Sequence, residues 1–312
     1  MTDDYYELLS PTIQAITIAI CIIGLFGNVN LIIATCRKKS LRTKMGCLLM
    51  ISTFAHTICL ISELVCAKLK LRFTRTHRDE CFRSVIVYMF AVLFQSVLFT
   101  MMSIDLLLAV FMPIRHKLWR RGPYLLIMCT PPLAFSIFAL FIDELYINHD
   151  DLLICTVTLA VPPRVRFWGT LITVFTIIVS VIIVFITACK LHCNERQSQR
   201  RILRHSSSVT SNIKCSDAKL LRSLITMMFV FVCSWCTSVL LSHISLYFSK
   251  DVAYEIQKYN ILLSLPTFCQ NYFVTGLRSP KYFKAYAEQT PYITGLVKRV
   301  ERISSDKSAV YV

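Results

Sequence analysis

Several positions in this 312-residue chain combine residue types that do chemistry. Cys233 and Cys236 form a C-x-x-C pair, the spacing of redox centres and of half a zinc site. His56 and Glu63 interrupt an otherwise apolar run, M-G-C-L-L-M-I-S-T-F-A-H-T-I-C-L-I-S-E-L-V-C. Asp105 follows 21 residues without a charge, and Pro113 and a basic loop come soon after it. His243 and Tyr247 lie four residues apart, on one face of a helix. Gln270 and Asn271 are adjacent amides, and Asn28 follows Gly27. The stretch Ser206-Ser207-Ser208-Val209-Thr210-Ser211 reads either as a kinase-accessible segment, whose electrostatics phosphate would change, or as a plain linker.

None of these makes an enzyme. No second cysteine pair and no histidine lies at ligand spacing near Cys233 and Cys236, so both read as small apolar residues. The chain has no G-x-S-x-G and no two mid-span aspartates, and Asp105 stands at a boundary. No cofactor is expected.

The elements that must position these groups are long and apolar. Hydrophobic residues make up 55% of the chain and charged residues only 17%, against roughly a quarter in a soluble domain. Charge-free runs of about 18 residues or more occur seven times, at 8–36, 45–62 (continuing to Ala67), 84–104, 122–142, 167–189, 223–249 and 259–277. The run Leu152–Pro163 is too short to span and is expected in a loop. The net charge of +16 lies in short blocks between these runs rather than on a folded surface, which argues against nucleic acid. Of the 34 Lys and Arg, 24 fall in alternate connecting segments if the N-terminus is outside. The acidic start M-T-D-D-Y-Y-E agrees with that orientation and with an uncleaved first span. The expected fold is therefore an all-α membrane protein, a seven-transmembrane helix bundle. Residues 1–10 are expected as an extracellular N-terminus, 11–288 as the seven-transmembrane domain and 289–312 as a cytoplasmic tail.

Within that frame an intramembrane ionisable residue faces the bundle interior or a watery cavity. His56 reads either as a functional group or as a neutral packing histidine. Glu63 either lines an outer pocket or pairs with a basic residue of the outer loop. Asn28 with Gly27 serves helix packing or signalling. Pro131-Pro132 must kink or break span 4. Among 14 cysteines, only Cys81 and Cys155 sit plainly in extracellular positions, which predicts a disulfide stapling the long outer loop onto span 3. After Arg278-Ser279-Pro280, the stretch K-Y-F-K-A-Y-A suits a short amphipathic helix at an interface. A transporter would show internal repeats and glycine-broken helices, and the chain has 7 glycines and no repeat.

The chain resembles a rhodopsin-like G protein-coupled receptor, and most closely the nematode serpentine chemoreceptor class Sx, over roughly residues 15–290. The resemblance rests on Gly27-Asn28, Cys81 with Cys155, S-I-D-L-L-L-A-V-F-M-P-I-R-H, Trp235 in span 6, and Q-N-Y-F-V-T-G-L-R-S-P-K-Y-F at the end of span 7. It implies an outer small-molecule or peptide ligand, a heterotrimeric G protein inside, and a lipid bilayer as the remaining partner. It implies switch and coupling roles for Asn28, His56, Asp105, Leu106, Pro113, Trp235 and Asn271. An outer pocket between spans 2, 3, 6 and 7 would draw on Glu63, Tyr88, Gln95, His243, Tyr247 and Tyr259.

The departures from the family pattern concern the switch. Leu106 stands where an arginine follows the aspartate, and Leu107 where an aromatic is usual. His56 occupies the place of a sodium-binding aspartate. Span 7 keeps Asn271 but lacks the proline and tyrosine of its motif. Span 5 has no proline, and span 4 no tryptophan. Tyr88, seven residues after Cys81, stands where amine receptors carry an aspartate, so that ammonium anchor is missing. Span 7 has no lysine beyond Lys258 at its edge, which excludes a retinal Schiff base. Each of the losses at spans 2, 3 and 7 touches the switch rather than the fold.

Overall fold

The computed structural model describes residues 11–71, 76–152, 155–202, 211–248 and 250–289. The residues before Pro11, Ser206–Thr210 and the tail serines Ser304, Ser305 and Ser308 lie outside the described residues.

The seven expected spans are seven helices: α1 (Pro11–Arg37), α2 (Lys44–Leu71), α3 (Arg78–Phe111), α5 (Arg121–Leu145), α7 (Pro163–Ile202), α8 (Ser211–Ile244) and α9 (Lys250–Arg278). Six are apolar and long enough to cross a bilayer by length and composition. The remaining one, α9, carries Lys250, Asp251, Glu255 and Lys258 in its first turns, and its apolar part is the run 259–277. Helices are the economical form here, because lipid offers no partner to an unbonded backbone group.

Short elements join them. Helix α4 (Pro113–Leu118) starts on Pro113 at a position where the missing N–H costs nothing. Strands β1 (Thr76–His77) and β2 (Asp151–Leu152) pair antiparallel, Thr76 opposite Leu152 and His77 opposite Asp151. A turn of helix, α6 (Val157–Ala160), sits in the long loop, and Ser245–Tyr247 forms a tight 3-10 turn after α8. Helix α10 (Pro280–Gln289) follows α9, as K-Y-F-K-A-Y-A predicts. Of the two outcomes expected at span 4, a kink or a break, the break does not occur: α5 continues as helix through Pro131 and Pro132. Leaving helical geometry in an apolar medium would free more backbone groups than the two absent donors, so the helix persists.

The bundle is polar at its centre and apolar at its circumference. Asn28, Thr53, His56, Ser103, Asp105, Asn271 and Thr275 are buried, whereas Ile22, Phe26, Phe54, Ile61, Phe141 and Phe185 are exposed. Buried hydroxyls return their protons to the preceding turn, as Thr53 does to the Leu49 carbonyl and Ser103 to that of Phe99. Two apolar clusters fill the interior. One, at the disulfide end, contains Phe82, Tyr88, Leu265 and Phe268. The other, toward the opposite end, contains Leu31, Leu48, Leu106, Met228, Phe231 and Tyr272. Trp235 packs against both.

Candidate functional site

Cys81 and Cys155 are joined, with Cα atoms 5.4 Å apart. The bond ties the first turn of α3 to the loop before α6. The same corner is fastened twice more. Arg78 donates from Nη1 to Asn148 Oδ1 (2.6 Å) and to Asp150 Oδ2 (3.0 Å), and its backbone N–H donates to the Asp150 carbonyl. His77 and His149 lie against Asp151 and Asp79.

Beneath this cap lies a cavity of about 400 Å³. Its walls follow helical periodicity, because one face of each helix turns inward. Helix α5 contributes Phe135, Phe138, Ala139, Ile142 and Asp143, and α8 contributes Trp235, Ser238, Val239, Ser242 and His243. Glu63 and Cys66 come from α2, Tyr88 and Met89 from α3, Arg166 and Trp168 from α7, and Asn260 and Ser264 from α9. Tyr88 hydrogen-bonds the Glu63 carboxyl. Asn260 donates to the Ser238 carbonyl (3.0 Å) and Ser242 Oγ (2.6 Å), while its own Oδ1 has no hydrogen-bond partner among the described residues.

Of the six expected pocket residues, Glu63, Tyr88 and His243 line this cavity. Gln95 does not; it is buried beside Cys59, whose thiol points to its Oε1. Tyr247 and Tyr259 are 77% and 51% exposed and are absent from the walls. The tight turn after α8 carries Tyr247 outward, although its ring still meets His243 edge-on at 5.8 Å. The charge-free-run rule passed over Asp143 and Arg166, because it ended span 4 at residue 142 and began span 5 at 167. The helices in fact continue to Leu145 and begin at Pro163. Asn260 and Trp168 had no distinguishing signal.

Under the cavity an aromatic column crosses the bundle. Phe268 meets Tyr88 and His56 edge-on at 6.4 and 5.8 Å, and Trp235 at 6.2 Å. Trp235 stacks on Phe231 (6.1 Å), and Phe231 on Phe99 (3.7 Å). Beside the column, Asn271 donates to Thr53 Oγ1 and to His56 Nδ1, both at 3.1 Å. An imidazole accepting at Nδ1 is neutral, with its proton on Nε2. Asn28 donates to the Phe268 carbonyl at 3.0 Å, linking α1 to α9. A cation would need an anionic ligand here, and the side chains gathered are amides, a hydroxyl and an imidazole. The sodium-binding aspartate of the family pattern is replaced here by His56, as its position in span 2 indicates. More broadly, no cluster of three or more His, Cys, Asp or Glu suited to a metal occurs among the described residues. Cys233 and Cys236 are separate thiols, and Cys233 is exposed.

At the end opposite the disulfide, Asp105 is 1% exposed and accepts from His116 Nε2 (2.7 Å) and from the Tyr124 hydroxyl. Lys44 donates to the His116 carbonyl, and its ammonium lies 4.9 Å from the Tyr124 ring centre. Trp119 stacks on Tyr124. Thus α2, α3, α4 and α5 meet around one carboxylate. Leu106 is buried in the adjacent apolar cluster. Alongside, α10 docks through Tyr286, whose hydroxyl lies 2.7 Å from Thr275 Oγ1 and whose ring lies 4.4 Å from that of Tyr272. Lys38 pairs with Glu288.

Seven helices, a disulfide between the third and the following loop, and a short helix after the seventh define a rhodopsin-type receptor bundle. The fold is similar to the crystal structure of squid rhodopsin, with a TM-score of 0.71 at 12% identity, covering 94% of this chain and 87% of that one. The family described as serpentine type 7TM GPCR chemoreceptor Srsx matches residues 21–290, and the chain belongs to it. No curated protein sequence matches the chain.

Proposed function

We propose that this family member is a plasma-membrane chemosensory receptor. Its N-terminus and disulfide-capped cavity face outward, where the cavity takes a small molecule or peptide, and its basic end faces a heterotrimeric G protein. The observation that carries this reading is Trp235. It lines the cavity, and through Phe231 and Phe99 its stack continues into the apolar cluster next to Asp105. A ligand that displaces Trp235 would move α8 against α3. Such a shift is the element two sites need in common if binding at one is to bias the other. The disulfide supports the orientation, since such bonds persist on the oxidising side of the membrane.

A second reading keeps the receptor architecture with weak or lost coupling. It is favoured by Leu106, a buried aliphatic residue where a fixed charge with bidentate donors would otherwise stand. A G-protein activation reporter fused to the full chain separates the two. Wild type, Tyr124→Phe and Leu106→Arg are compared at matched surface levels. Coupling predicts basal activity in the wild type that rises when Tyr124 releases Asp105. Silence in the wild type and in Tyr124→Phe at matched surface levels would sink the coupling proposal.

A further inference from the structure

Asp143 lies in the last turn of α5 and is 7% exposed. It lines the 400 Å³ cavity on the same helix face as Phe135, Phe138 and Ile142. The other buried carboxylates are satisfied: Asp105 by His116 and Tyr124, Glu63 by Tyr88. Asp143 is not. Among the described residues no hydrogen bond or ion pair reaches its carboxylate. Burial of an unpaired carboxylate is unfavourable, and so is a negative charge at a helix C-terminus, where no basic residue shares its last turn. The fold gains nothing visible from this residue, and a group so costly to the empty protein marks a binding function.

We infer that the cavity takes an amphipathic monocation, an amine with an apolar and preferably aromatic body, and that Asp143 is its anchor. The inference deepens the receptor reading and rests on the cavity being the ligand site. The position differs from the usual amine anchor on the third helix, which Tyr88 fills here, and it approaches the ligand from α5 instead. An ammonium brought against Asp143 would form a charge-assisted hydrogen bond. The rest of the wall supplies the body's partners. Trp168, Phe138 and Trp235 present rings, and cations and aromatic bodies both favour such faces. One carboxylate anchor suits one ammonium, and Arg166 in the same wall offers a second positive charge no partner.

The test uses full-length receptor purified in detergent, with melting temperature as the readout. It is titrated with 2-phenylethylamine, with the neutral 2-phenylethanol and with the anionic 3-phenylpropanoate. The amine should stabilise the wild type saturably and at lower concentration than the alcohol. Asp143→Asn, nearly isosteric, should weaken the amine by about tenfold or more and leave the alcohol unchanged. Without ligand, the variant should melt no lower than the wild type, because an unpaired buried charge has been removed. Equal action of amine and alcohol on the wild type overturns the anchor while leaving the cavity as the ligand site, as does an unchanged amine preference in Asp143→Asn. Preference for the acid also overturns it and points to Arg166. If none of the three binds, the anchor and the cavity reading fall together. An asparagine variant without a melting transition would make Asp143 structural, and the wild-type comparison alone would then have to favour the amine for the inference to survive.

Discussion

Asp105 is buried and held by two donors, His116 and Tyr124, which accounts for a charge lying next to Leu106. In the family pattern an arginine beside the aspartate holds the switch. Here His116 and Tyr124 take the carboxylate, and Lys44 is attached through the His116 carbonyl. Tyr124→Phe removes one donor from a buried charge and should cost about 1.5–3 kcal/mol of stability. Thermal melting of the purified receptor measures it, and a loss well under 0.5 kcal/mol would mean the bond contributes nothing. Leu106→Arg should lower surface expression, because it drives a guanidinium into a packed apolar cluster; equal surface staining would contradict that. Sequence reading identified Asp105 by the charge-free run that ends on it. It could not identify the partners, which lie 11 and 19 residues along the chain on other elements.

Helix α1 meets α9 where small residues let them approach. A Cβ on Gly24 would stand 2.4 Å from Cys269 Sγ and 2.8 Å from Leu60 Cδ1, and one on Gly27 would stand 2.9 Å from Tyr272 Cβ. Close packing of this kind replaces the hydrophobic driving force that lipid removes. Gly24→Ala should therefore destabilise by about 1–3 kcal/mol, the usual cost of overpacking. Gly122→Ala, with nothing within 4 Å of its Cβ, should be neutral or gain up to about 1 kcal/mol. Parallel melts of the two variants decide it, and equal shifts would refute the contact. At this scale the sequence was informative about helix number and poor about ends. Charges mark membrane boundaries on average, but α5 and α7 carry Asp143 and Arg166 inside their ends, where the cavity rather than water receives them. Pro131-Pro132 does not break α5 for a related reason: leaving the helix in lipid would free backbone groups with no water to receive them.

The whole molecule is a bundle pinned at the disulfide end by a bond spanning 74 residues of chain. Closing so long a loop removes much entropy from the unfolded chain, worth about 4 kcal/mol in the chain-entropy account. Cys81→Ser and Cys155→Ser should each abolish most surface expression, and the double variant should be no worse than either, since both remove one bond. Surface biotinylation tests this; additive losses, or normal levels in a single variant, would contradict it. Read alone, the residues were enough for the seven-helix class, the cysteine pair, the short helix after the seventh and the family. The helices and family motifs are written in contiguous stretches, and the two cysteines, 74 residues apart, were paired by where each falls relative to the spans. Which polar residues meet is a matter of the fold. Glu63, Tyr88 and His243 reach one cavity while Tyr247 and Tyr259 turn away, Asp143 arrives there alone, and Asp105 finds His116 and Tyr124. These meetings depend on the rotation of each helix about its own axis and on its vertical register. Both are set by packing against several neighbours at once, which no single stretch of sequence encodes.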